Sequence, residues 1–144
     1  EHVTTIDHDM ELPTKKFNPE REFKGQKFVH NKAEASTWSE FRIPGFTCRD
    51  TTIAKNTRNV AGVQVVKPNG AKIKPSSHNC DILFNFVMEG NMTLTASEQR
   101  PNDLTSGDAF VIPPNILTEY SNVSADLELL EVSLPGEFTT YYDT

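Results

Sequence analysis

From Ile43 onward, short runs of alternating apolar and polar residues are separated by Gly, Pro and Asn at regular intervals. Such alternation is the signature of strands buried on one face. It predicts strands near 46–53, 60–66, 71–74, 81–88, 91–97, 108–112, 117–122 and 126–133. No window of a dozen residues places apolar side chains at helical spacing, so the body is expected to be all-β. The runs 81–88 and 91–97 are expected to form a hairpin across Glu89-Gly90, where glycine adopts positive φ without steric cost. On the first of these strands Leu83, Asn85 and Val87 share one face, and Phe84, Phe86 and Met88 the other. The first face should line an interior. The second is apolar enough to need cover, either from a second copy of the chain, making a homodimer, or from the chain's own N-terminal arm.

That arm is residues 1–40, with 41–144 expected as the folded domain. The arm mixes charges, Pro13, Pro19 and the isolated aromatics Phe17, Phe23, Phe28 and Trp38, with no sustained period of 3.6 or 2. Phe23, Phe28 and Val29 have the composition to add a strand to an edge of the body or of a partner subunit.

Composition narrows the function classes. With 20 Asp and Glu against 14 Lys and Arg, the net charge is -6 and the chain offers no basic footprint for nucleic acid or an acidic membrane surface. No apolar stretch is long enough to span a bilayer, and the start Glu1-His2-Val3 is unlike a signal peptide, so a soluble protein, cytoplasmic or in another aqueous compartment, is expected. Two cysteines, Cys48 and Cys80, make neither a disulfide scaffold nor a four-cysteine zinc site. Neither of the glycine-rich phosphate-binding patterns occurs.

The spacing from Gly70 to Asn122 carries a resemblance. Gly70 is followed by five residues, then Ser76-Ser77-His78, four residues, Leu83, six residues and Gly90. Gly107 is followed by five residues, Pro113-Pro114-Asn115, two residues, Thr118, three residues and Asn122. Both registers resemble the paired motifs of the cupin superfamily; the entry Gly45–Asp50 and the tail Asp126–Phe138 also resemble its bacterial single-domain members, so the likeness extends over roughly residues 41–140. It implies a double-stranded β-helix, a small jelly-roll barrel. The framework positions Gly70, Gly90, Gly107, Pro113 and Asn122 match, and Asn115 replaces a glycine with another residue that tolerates positive φ.

The positions that hold a metal in the resembled family are mostly changed: they read Ser76, His78, Leu83 and Thr118. Hydroxyls are poor neutral donors for transition metals and leucine cannot ligate. A barrel without metal or other cofactor is therefore expected, serving as a small-molecule-binding or dimerisation module. Its pocket would comprise Ser76, His78, Leu83, Asn85, Val87, Ile116 and Thr118, and its ligand would be a small, partly polar organic molecule. The alternative is a metal-dependent enzyme of dioxygenase, isomerase or lyase type, with a divalent transition metal in a site rebuilt around His78 and Cys80. The reading preferred for Cys80 is a small buried hydrophobe. His78 is the best catalytic candidate by chemistry, and a scaffold histidine otherwise.

Overall fold

A computed structural model of the chain describes residues 22–142; the greater part of the expected arm, including Pro13, Phe17 and Pro19, lies outside the described residues. Thirteen strands run in order: β1 (Glu22–Phe23), β2 (Gln26–Lys27), β3 (Trp38–Glu40), β4 (Phe46–Asp50), β5 (Gly62–Pro68), β6 (Ser76–His78), β7 (Ile82–Glu89), β8 (Asn91–Ala96), β9 (Asn102–Thr105), β10 (Ala109–Val111), β11 (Thr118–Ser121), β12 (Glu128–Leu134) and β13 (Thr140–Tyr142). One four-residue helix, α1 (Ile53–Asn56), and a 3-10 turn at Ala33–Ala35 complete the described elements.

Two antiparallel sheets face each other, one of six strands in the order β10-β7-β12-β5-β4-β3 and one of five in the order β13-β6-β11-β8-β9. This is the expected all-β jelly roll. Leu83, Val87, Met92, Leu127 and Leu129 lie between the sheets, each no more than 2% exposed. Phe46 reaches across to Tyr120 in an edge-to-face pair with ring centroids 5.7 Å apart, a contact of about 1 kcal/mol beyond simple burial.

The sequence expectation needs four corrections. The run 81–97 is no hairpin: β7 belongs to the six-stranded sheet and β8 to the five-stranded one. Gly90, at φ +78°, is the corner where the chain changes sheets, and a Cβ there would stand 2.7 Å from the Cα of Leu127. Local turn chemistry matches a hairpin, but only packing against residues 124–127 decides that the strands diverge. The expected strand 71–74 is a loop, and the strand lies at 76–78 instead; Ile73 packs on the core from that loop, which is why the alternation looked strand-like. The run 46–53 ends at Asp50 and turns into α1. The strand that extends the body's edge is Trp38–Glu40, paired with β4, whereas β1 and β2 pair only with each other.

Gly70, Gly90, Gly107, Asn115 and Asn122 all adopt positive φ. No helix among the described residues is long and apolar enough to cross a membrane.

Candidate functional site

His78 sits on β6 with 2% of its surface exposed. The backbone N–H of Cys80 donates to its Nδ1 at 3.0 Å, so that nitrogen carries the lone pair; Nε2–H donates to the carbonyl of Ile112 at 2.8 Å. Both ring nitrogens are therefore engaged, and the imidazole pins β6 to the segment after β10. Burial pushes its pKa below the ordinary imidazole range, and the nearby Arg42 charge acts in the same direction against the Ile112 carbonyl and Glu131. The ring is neutral at pH 7.

The neighbouring positions are as closed. Ser76 is 2% exposed and Leu83 wholly buried, and Thr118 donates its hydroxyl to the Ser76 carbonyl at 3.3 Å. Asn85 and Val87 are wholly buried on the same inner face as Leu83. Cys80 is also fully buried, with its thiol near the carbonyls of Ile82 (3.0 Å) and Leu134 (3.1 Å). Burial raises its pKa, so the thiolate needed for metal ligation is disfavoured.

The four positions that the resemblance assigns to a metal do not fit one. The imidazole has no lone pair facing the interior, Leu83 is aliphatic, and Thr118 is committed to a carbonyl. Among the described residues no three of His, Cys, Asp and Glu converge as ligands.

The interior holds an ion pair instead. Arg42, from the segment between β3 and β4, enters with its side chain 16% exposed and meets Glu131, 3% exposed, in the middle of β12. Nη2 donates to Oε1 at 2.7 Å and Nε to Oε2 at 3.2 Å, a bidentate fork. Nη1 donates to Thr140 Oγ1 at 3.2 Å, and the guanidinium lies 5.0 Å and 5.1 Å from the ring centroids of Phe41 and Phe138. Burial pulls the Arg42 pKa down, but the charge and hydrogen bonds of Glu131 outweigh it, so the net shift is upward.

Among the described residues, two buried polar atoms beside this pair lack hydrogen-bond partners: Oδ1 of Asn85, whose Nδ2 donates to Glu131 at 3.4 Å, and the hydroxyl of Tyr120. Burial drives the Tyr120 pKa strongly upward and keeps the phenol protonated; the nearby Arg42 guanidinium opposes this. Unpaired buried groups of this kind cost about 1–3 kcal/mol each.

Two cavities open on either side of this closed interior. The first, about 450 Å³, lies between the edges of the two sheets and is lined by Leu94, Leu104, Phe110, Ile112, Ile116 and Thr118 among others. Of the expected pocket residues, Ile116 and Thr118 line it. Its wall adjoins both unpaired atoms, since Phe110 is the register partner of Asn85 and Leu94 that of Tyr120.

The second cavity, about 490 Å³, lies where β4 ends and β5 begins. Strand register puts Asn85, Glu131, Gln64 and Asp50 in one row on the inner face of β7, β12, β5 and β4. The last three line this cavity, which α1 and the segment Gly136–Phe138 roof over.

Arg42, Asp50, Gln64 and Glu131 went unrecognised in the sequence. Glu131 had a signal, being a charge between Leu130 and Val132 in the middle of β12. That strand is apolar at both parities, so alternation did not say which side faced inward.

A profile of the cupin domain family matches residues 62–133, half of the chain. An uncharacterised protein of Methanocaldococcus jannaschii is 28% identical over 81 residues, 56% of this chain and 69% of that protein. Among solved structures, the polyketide cyclase RemF from Streptomyces resistomycificus superposes with a TM-score of 0.64 at 20% identity, over 83% of this chain and 86% of its own. A Streptomyces Pac13 variant solved with uridine gives 0.63 at 13% identity, over 80% and 90% of the two chains. These structural likenesses establish the fold. Together with the strand order, the left-handed glycine and asparagine positions and the profile match, they place the chain: it belongs to the cupin family.

Proposed function

We propose that this cupin is a small-molecule-binding module that works without the family's four-ligand metal centre. Its ligand is a small organic molecule with an apolar body and a polar substituent, held in the cavity lined by Ile116 and Thr118. The observation that carries this reading is the composition of that cavity. Inner-face side chains that would otherwise meet the opposite sheet border open space of about 450 Å³, within the range of ligand pockets, roughly 300–1,000 Å³. The unpaired Asn85 Oδ1 and Tyr120 hydroxyl behind its wall supply a polar end that a ligand reaches if Phe110 shifts. That a fold neighbour was solved with uridine supports the general capacity of the barrel for a small organic guest.

Metal-dependent chemistry at His78 and Cys80 is not favoured, because both ring nitrogens and the thiol are already engaged. Self-association is part of the same reading. Phe84, Phe86 and Met88 are half-buried on the outer face of the six-stranded sheet, with Val111 and Ile82 exposed on it. Phe86→Glu is expected to lower the mass measured by light scattering.

The ligand test is calorimetry and thermal shift with benzoate and 1-naphthol, combined with metal analysis of the purified protein. Saturable binding that disappears in Ala96→Phe, which fills the cavity, is expected. Stoichiometric metal lost on His78→Ala, or binding indifferent to Ala96→Phe, would overturn the reading.

A further inference from the structure

The cavity at the Asp50 end of the six-stranded sheet differs chemically from the one just described. We infer that it is a second ligand site, for a neutral, polyhydroxylated small molecule.

The inference rests on a count of unused hydrogen-bonding capacity. Asp50 accepts one hydrogen bond, from the Thr52 backbone N–H at 3.1 Å, and a carboxylate has about four acceptor positions. The Gln64 side chain, between Asp50 and Glu131 in the register row, makes no hydrogen bond among the described residues. Glu131 accepts three, two from Arg42 and one from Asn85, leaving about one position open. Ser133, 5% exposed, donates at 3.4 Å to the Gly136 carbonyl and keeps its acceptor lone pairs. Donors are open as well: the Lys55 ammonium and the NH2 of Asn59, whose Oδ1 accepts from the Glu137 backbone N–H, make no hydrogen bond among the described residues, so a ligand must bring both donors and acceptors.

Charge then decides which donors and acceptors. The lining mixes charges of both signs: the carboxylates Asp50, Glu131 and Glu137 stand beside Lys55 and Arg58, with Arg42 behind, and of these cations Arg42 is paired with Glu131 and Arg58 with Glu22 at 2.6 Å. A polyamine would meet these cations and a polyanion these carboxylates, each at a cost in repulsion. Hydroxyl groups donate to Asp50, Gln64 and Glu131 and accept from Lys55 without adding charge. The Phe138 side chain in the same lining offers an apolar surface to the C–H face of such a molecule. Glu131, nearly fully buried and held rigidly by the bidentate fork, provides a fixed floor of the kind that recognition requires.

The test is calorimetric titration of the full chain with D-ribose and myo-inositol as neutral probes, and spermidine and citrate as charged ones. Asp50→Asn keeps the acceptor for Thr52 while removing the charge, and Gln64→Met keeps the volume; melting curves confirm that both fold. Saturable binding of a neutral probe, weakened at least about tenfold in both variants and unchanged in Ala96→Phe, is expected. No neutral-probe binding up to about 50 mM, tighter binding of spermidine or citrate, or affinity unaffected by Gln64→Met would overturn the inference. Because Ala96→Phe closes only the other cavity, failure here leaves the reading of that cavity intact, and the reverse holds.

Discussion

Removing one partner of the Arg42–Glu131 pair should cost far more than removing both. With N–O at 2.7 Å in a bidentate fork and charge centres about 4 Å apart, the Coulomb attraction is about 4 kcal/mol at an effective dielectric of 20. Arg42→Met leaves Glu131, only 3% exposed, as an uncompensated buried charge, and the expected loss is about 3–5 kcal/mol. Glu131→Leu strands the guanidinium between Phe41 and Phe138 and should cost a similar amount. The double variant Arg42→Met/Glu131→Leu removes both desolvation penalties and fills the space with apolar volume. It should recover most of the loss, ending within about 1–2 kcal/mol of the parent. For a domain of this size each kcal/mol moves Tm by roughly 3–5 °C, so the singles should melt about 9–25 °C below the parent and the double within about 3–10 °C of it. Urea denaturation of all four proteins closes the cycle. Single losses below about 1 kcal/mol, or a double variant no more stable than its weaker parent, would mean that the pair is solvated in solution and not the organising charge of the interior.

Three further outcomes follow from the geometry. Because the His78 pKa is lowered in the fold, the unfolded chain binds the proton first as pH falls below about 6.5. Stability should therefore decline as pH falls below about 6.5, and this slope should shrink in His78→Gln; an unchanged slope would contradict the neutral, doubly bonded imidazole. Gly90→Ala combines φ +78° with a Cβ 2.7 Å from the Leu127 Cα, and should lose about 2–4 kcal/mol by chemical denaturation. Gly70→Ala, at φ +84° with nothing within 4 Å of the added Cβ, should lose only the dihedral cost of about 1–2 kcal/mol; equal losses would show that packing at the Gly90 corner is irrelevant.

Much of the fold was legible because it depends on single residues. Positive φ at Gly70, Gly90, Gly107, Asn115 and Asn122 is a local steric requirement that only a few residue types meet. The alternation of Leu83, Asn85 and Val87 marked an inner face that is indeed fully buried. Polar strands such as Asn102–Thr105 and Ser76–His78 escaped because they owe their conformation to neighbours on both sides, not to their own pattern.

The interior chemistry was less legible. His78 has the residue type of a catalyst or ligand, and only the Cys80 N–H and Ile112 carbonyl, the latter 34 positions away, make it a tie between segments. Arg42 and Glu131 are 89 positions apart, and nothing local to either announces the other. The sequence by itself determined that the chain turns at its glycines and asparagines, that its body is a β barrel, and that the positions the cupin resemblance assigns to a metal read Ser76, His78, Leu83 and Thr118. Tertiary structure alone decided that a guanidinium–carboxylate pair occupies the interior and that Asp50, Gln64 and Glu131 line one cavity, because strand register and sheet crossing bring together residues whose separation along the chain conceals their contact.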